Sequence, residues 1–426
     1  MNRRELMIGG TILAALPKLG LAQSETDTGA ASAAPSKQPG SPPTILLNDY
    51  LPQSIYKIPI TEVPKAKYPV IDCHCHGHGP LSVTEMVTMM DKVGVEKTVV
   101  FIEAGTADRF TEMAHDYADH PDRFDLWCEF DLRGVDEGGF GPNAIKSLEE
   151  CHRAGAKGVG ELEDKGRGIF SSGEPTEVLR PANASGAQRP VDEFAGLNGA
   201  ANFTSDPMPP NLNAPLGPHP DDPRLDALWD KAGQLGMPIN IHVSDPIWSY
   251  QPMDNSNDGL MNGWSWRIIL EPGTYDNNQL VNSLENAVKK HPKTQFIACH
   301  LCNLDYDLTR LGQMFDRNSN LYADLGARFA ETATIPRVAQ KFLTKYSDRI
   351  VYGTDVNYNL PFFATTFRIL ETDDDHFYKR GKVESANFNF NYHWTLNGFG
   401  LSDDVLKKIY HENAMRIFAR AKQNRA

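Results

Sequence analysis

From residue 70 onward the chain alternates two textures, and this alternation constrains its fold more than any other feature. Short runs rich in β-branched residues recur: VIDCHCH, KTVVFIEAG, FDLWCEFDL, KGVGELE, PINIHVSD, TQFIACHL, NLYADLGA and RIVYGTDV. Between them lie longer runs with apolar residues at helical spacing, such as TEMVTMMDKVG, NAIKSLEECHRAG, RLDALWDKAGQLG and NQLVNSLENAVKKHP. Several of these end in Gly, or in Pro shortly after the last periodic residue, which are helix stop signals. Strict alternation implies parallel strands, because parallel neighbours need a crossover connection. About eight such units predict a closed α/β barrel, the (β/α)8 TIM barrel. An open doubly wound sheet is the alternative. It more often carries a Gly-rich phosphate loop after its first strand, and HGHGPLS is not one. DDVLKKIYHENAMRIFARA predicts the last helix.

Three stretches break the rhythm, and each leaves the carboxyl end of a strand. Residues 165–223 follow the fourth strand and are rich in Gly, Pro, Asn and Ser. Residues 245–273 follow the fifth and hold Trp248, Tyr250, Trp264 and Trp266. Residues 358–396 follow the eighth and carry Phe362, Phe363, Phe367, Asp373, Asp374, Asp375, His376 and Trp394. Barrels build their sites on that face, so these long loop insertions read as walls and lid of a pocket. A subunit contact is the plainer alternative.

The amino terminus has a different character. Arg3 and Arg4 precede a short apolar run, and a plausible cleavage region lies around Ala22. The run is too short to anchor in a bilayer, and residues 1–23 resemble a twin-arginine export signal. Such a signal implies the export machinery as a partner and a periplasmic or secreted location. Residues 24–45 read as a disordered linker, and 46–426 as the mature barrel. No later stretch is apolar enough for a membrane span. With 42 basic and 55 acidic residues the formal charge is −13, which argues against a nucleic-acid partner. Cys73, Cys75, Cys128, Cys151, Cys299 and Cys302 mostly sit in apolar, strand-like runs, so they read as small core residues rather than a disulfide framework.

The chemistry concentrates at strand ends. In a regular strand alternate residues share a face, so Asp72, His74, His76 and His78 are expected on one side and Cys73 and Cys75 on the other. Two histidines at that interval, both facing a barrel interior, can grip one metal ion. Other strands supply Glu161 in VGELED, His242 in NIHVSD, His300 in IACHLCN and Asp355 in VYGTD. Buried ionisable groups are costly unless paired or bound to metal. Mixed imidazole and carboxylate donors suit zinc or another first-row divalent ion such as manganese.

The D-x-H-x-H opening, the strand histidines, the G-T-D of the eighth strand and the closing ENAMRIF together resemble the amidohydrolase superfamily. The closest likeness is to its amidohydrolase-related branch of decarboxylases and lactone hydrolases. The resemblance implies metal ligands at His74, His76, His242 and Asp355, with His300 orienting or deprotonating the metal-activated water. Glu161 looks similar to a bridging glutamate found elsewhere in the superfamily. It stands either as a ligand between two ions or as a hydrogen-bond partner of the ligands, and one zinc ion is the simpler expectation. The resemblance further implies a small-molecule substrate and a homodimer. Asp355 and His300 are the expected catalytic pair for hydrolysis of a lactone, ester or amide. Non-oxidative decarboxylation and a non-catalytic metal-binding role are the alternatives. Arg328 could anchor a substrate carboxylate, and Trp264, Trp266 and Tyr250 could stack on a ring.

Overall fold

The computed structural model describes residues 52–170, 216–252, 254–259, 268, 270, 272–356, 358–378 and 394–423. Eight parallel strands alternate with helices through the described residues. The strands are β1 (Val70–Cys75), β2 (Val95–Phe101), β3 (Phe124–Trp127), β4 (Val159–Asp164), β5 (Ile239–Val243), β6 (Phe296–Ala298), β7 (Leu321–Asp324) and β8 (Ile350–Val351). The helices between them are α1 (Val83–Val93), α2 (Ala107–Ala114), α3 (Phe140–Ala154), α4 (Asp226–Leu235), α5 (Asn277–Lys290), α6 (Leu308–Arg317), the short α7 (Phe329–Thr332) and α8 (Pro336–Lys345). Strands β1 to β3 form one ladder and β4 to β8 another. Backbone hydrogen bonds join the two ladders at both seams. At one, Cys128 N donates to Gly158 O (3.1 Å) and Gly160 N to Cys128 O (2.8 Å). At the other, Cys73 N donates to Tyr352 O and Asp355 N to His74 O, both at 2.9 Å. The strands thus follow one another around the expected (β/α)8 barrel.

Local signals explain the helices. Ser82 and Glu85 form a reciprocal capping box at the start of α1, and Gly94 closes it in the left-handed conformation (φ 85°). Such a cap is worth about 1 kcal/mol. Helix α5 buries Leu280, Val281, Leu284, Ala287 and Val288 on one face. Each large aliphatic side chain buried there contributes roughly 1.5–3 kcal/mol.

Two layers of core result. Helix faces pack on the outside of the strands through Met86, Met90, Leu148, Trp229 and Leu284. Inside the ring, Ile71, Cys73, Val99, Phe101, Trp127, Ile297, Tyr322 and Val351 meet Ala414 and Ile417 of the last helix. That placement corrects the expected facing of β1. Cys73 packs inward, and the Asp72 carboxylate bonds to Thr354 at 2.7 Å. The register with β2 shifts between Asp72 and Cys75, so one extra residue turns His74 toward the interior. A second shift, between Val159 and Leu162 of β4, delivers Glu161 in the same way. His78 lies beyond the end of β1, where its Nδ1 bonds to Leu81 O.

The third long excursion is also corrected. Residues Leu360–Glu371 form a helix, α9, and its Phe363 and Phe367 are fully buried against Tyr352. Those aromatics are core, not lid. The closing helix is interrupted: α10 (Asp403–Lys407) runs through a π-helical turn at Lys408–Glu412 into α11 (Asn413–Gln423). All six cysteines are buried free thiols, and burial pushes Cys302 up to about 12. No helix of the described residues is long and apolar enough to cross a membrane.

Candidate metal centre

Five strand ends bring six side chains to one point inside the barrel mouth. Glu161 occupies its middle. Its Oε2 lies 3.5 Å from His74 Nε2 and 3.3 Å from His76 Nε2. Its Oε1 lies 3.1 Å from His242 Nδ1 and 3.4 Å from His300 Nε2. Asp355 Oδ1 faces the first pair of imidazoles, at 3.1 Å from His74 Nε2 and 3.0 Å from His76 Nε2. His242 Nδ1 and His300 Nε2 are 3.2 Å apart. Close approach of β8 to β1 needs Gly353, where a Cβ would come within 2.8 Å of His74 Cβ.

The outer nitrogens fix the tautomers. His74 Nδ1 donates to Asp324 Oδ2 at 2.9 Å, His242 Nε2 to Ser244 O at 2.7 Å and His300 Nδ1 to Gly326 O at 2.9 Å. The inner nitrogens therefore face one another and two carboxylates, where each can carry a proton or take a cation. His74 Nε2 is fully buried and makes no hydrogen bond. An orphaned buried nitrogen among acceptors is expensive. A cation removes that cost, and the donor set fits one. The separations of about 3.0–3.5 Å suit donors held about 2.1 Å from a shared divalent ion. One grouping comprises His74, His76, Asp355 and Glu161. On the other side His242 and His300 both approach Glu161 Oε1. Cys299 stands close enough to His74, His300 and Glu161 to be a further donor. Glu163, two residues along β4, puts its Oε1 3.7 Å from His242 Nδ1 and 2.7 Å from Lys165 Nζ.

Charge in the centre follows from these contacts. Burial opposes ionisation of Glu161 and Asp355, yet the neighbouring imidazoles outweigh it and hold both well below the usual carboxylate range. Burial likewise opposes protonation of His76, but its hydrogen bonds to Asp355 and Glu161 push it up to about 10. Burial opposes protonation of His74 and His242 too, but the charges of Glu161, Asp324 and Asp355 raise His74 and the hydrogen bond to Glu161 raises His242. His300 is lowered, because burial outweighs the pull of Asp355. It is the neutral imidazole of the four.

A pH consequence follows. In metal-free protein, imidazolium–carboxylate pairs hold the centre together. A raised folded-state pKa gives stability that is complete below the unfolded value and lost as pH climbs through the folded one. For His76 that window runs from about 6.5 to about 10. Zinc must displace these protons, so its uptake at neutral pH should release protons, the one on His76 among them. Calorimetry in buffers of different ionisation heat measures this; uptake without proton release would refute the charge assignment.

Sequence reasoning overlooked Asp324. This fully buried carboxylate at the end of β7 accepts from His74 Nδ1, from His300 N and Gly326 N at 2.9 Å each, and from Asn240 Nδ2 at 3.3 Å. Its signal was available, since LYAD ends in an acid just as the other site strands end in polar residues. The expected substrate residues fare differently. Arg328 is 6% exposed and turned inward onto Asn303. Tyr250 bonds through its hydroxyl to Ser244 Oγ at 3.0 Å, beside His242. Trp264 and Trp266 lie outside the described residues.

A family model described as Amidohydrolase matches residues 71–420. Solved structures with a similar course include a TIM-barrel protein from Bordetella bronchiseptica, 13% identical, with a TM-score of 0.43, covering 83% of this chain and 99% of its own. A probable 2-pyrone-4,6-dicarboxylic acid hydrolase from Acinetobacter baumannii is 10% identical, with a TM-score of 0.41, covering 82% of this chain and 99% of its own. An amidohydrolase from Burkholderia multivorans with bound zinc is 10% identical, with a TM-score of 0.39 and the same coverages of 82% and 99%. No curated protein matches the chain.

Proposed function

The chain belongs to the amidohydrolase family and is an enzyme of that type, and from this premise we propose that it hydrolyses a lactone, ester or amide with the help of two divalent cations that Glu161 would help to hold. The observation that carries the proposal is the convergence of four imidazole nitrogens on both oxygens of one buried carboxylate. His74, His76 and Asp355 would hold one ion and His242 and His300 the other, with zinc the first candidate. Such ions lower the pKa of water and polarise a carbonyl.

The protein's own groups handle the protons. Asp355 turns Oδ1 to His74 and His76, leaving Oδ2 on the side of His300, 3.9 Å from its Nδ1. Asp355 takes the proton from the attacking water and later returns it to the leaving oxygen or nitrogen. His300 is neutral, and with its Nδ1 held on Gly326 O only its Nε2 is left to hold an ion. Phe101 packs against the rings of His74 and His76 at 5.0 and 5.9 Å and keeps water from the floor of the site.

A panel of lactones, esters and amides assayed for acid release tests the reaction. Acid release with no carbon dioxide is the expected result. Carbon dioxide release from carboxylic acids, with no hydrolysis, would replace the proposal with decarboxylation. Export belongs to the same proposal and is supported by Arg3 and Arg4 in residues 1–23, which lie outside the described residues. Cell fractionation that finds the intact chain only in the cytoplasm would remove it.

A further inference from the structure

The turn that carries His300 is made of residues in a conformation they avoid. His300, Leu301 and Cys302 have φ/ψ of 59/41°, 53/32° and 59/24°, and Asn303 follows with φ 47°. A left-handed run of side-chain-bearing residues persists only where its surroundings over-determine it. Asp324 holds the start of the turn through His300 N. Its end is held by a different pair.

Asn303 Nδ2 donates to Val243 O and to Ser244 O, both at 3.1 Å. Ser244 O is also the acceptor of His242 Nε2. One carbonyl at the end of β5 therefore serves both His242 and Asn303. On its other side, Asn303 Oδ1 accepts from Arg328 Nε at 3.0 Å and from Arg328 Nη2. This fixes which way the amide faces: the oxygen must meet the guanidinium, so the NH2 must meet β5. Arg328 Nη1 donates to Ala327 O at 2.9 Å, and the carboxylates of Asp305 and Glu331 stand 3.7 and 3.9 Å from the guanidinium. The ends of β5, β6 and β7 are tied together at this one amide.

We propose that Arg328 and Asn303 are positioning residues: the buried guanidinium locks the Asn303 amide, and the amide sets His242 and His300 on the Oε1 side of Glu161. The role of these two imidazoles rests on the proposed function; their placement by the clamp does not. Arg328 reaches the chemistry only through Asn303. The rigid planar fork matters, because two of its N–H groups must meet one oxygen while a third meets Ala327 O.

The test uses the full chain labelled with 15N-histidine, and reads imidazole signals by nuclear magnetic resonance in metal-free and zinc-loaded protein. In Arg328→Ala and in Asn303→Ala the signals of His242 and His300 should shift, while those of His74 and His76 stay in place. Zinc affinity should fall about 10- to 100-fold, the range seen when partners of metal ligands are lost. Millimolar guanidinium should restore both readouts in Arg328→Ala and neither in Asn303→Ala. Asn303→Asp keeps an acceptor for Arg328 but has no N–H for β5, and should behave like Asn303→Ala. Unmoved His242 and His300 signals would overturn the proposal. So would a shift of all four histidines without guanidinium rescue, which is general destabilisation. A parent protein that saturates with a single ion would overturn the two-cation reading instead, and the imidazole signals would still decide the clamp.

Discussion

Glu161→Gln should cost the protein one of the two proposed cations and lower turnover by about 10³-fold or more. Glutamine preserves the shape of the side chain, so packing in the barrel mouth is retained. It lacks the charge, and it offers only one acceptor oxygen. Glu161 now meets four imidazoles with two oxygens, at 3.1 to 3.5 Å. In the variant one pair of imidazoles faces an NH2 group, which cannot ligate a cation. The remaining ion would sit with His74, His76 and Asp355, which need no help from Oε1. Elemental analysis, turnover and circular dichroism on the same sample separate the outcomes. A folded variant with the parent's metal content and turnover would show that Glu161 is only a hydrogen-bond partner of the ligands.

Asp324→Asn should weaken metal binding about 10- to 100-fold and cost about 3 kcal/mol of stability. The carboxylate is fully buried and accepts from two backbone N–H groups, the His74 imidazole and the Asn240 amide. An asparagine oxygen can satisfy one side of this set, but its NH2 must then oppose a donor on the other. Burial works against the charge of Asp324, yet His74 and then His300 outweigh it and hold the pKa below the ordinary value. A depressed folded-state pKa gives stability that is present above the unfolded value and lost as pH falls through the folded one. The gap between parent and variant in denaturant midpoint should therefore be widest near neutral pH and close on acidification. A gap independent of pH would mean that the charge contributes nothing and the loss is steric.

The sequence reading and the structure part at identifiable places. The eight strands were legible because each is a short β-branched run between helical patterns, and that signal needs no tertiary information. Polar residues at the ends of those runs pointed to the interior of the barrel mouth, where the structure gathers His74, His76, Glu161, His242, His300 and Asp355. The direction of side chains within β1 was not legible. Period-two reasoning assumes an unbroken ladder, and the extra residue between Asp72 and Cys75 reverses the alternation just before His74. The setting of Arg328 was not legible for a related reason. A cation at a strand end suggests a ligand for substrate, but nothing local reveals that the turn after β6 bends left-handed and needs a partner at Asn303. The run Phe362–Phe367 fell within the excursion after the eighth strand that reads as wall or lid of a pocket. Asn359, which caps α9 by accepting from Phe362 N, was the overlooked start signal.

The most direct test of the account is the number of divalent ions the full chain binds at saturation. Protein purified without chelator and dialysed against zinc should carry about two ions per chain, one of them lost first on dilution. Saturation at one ion per chain would contradict a centre bridged by both oxygens of Glu161.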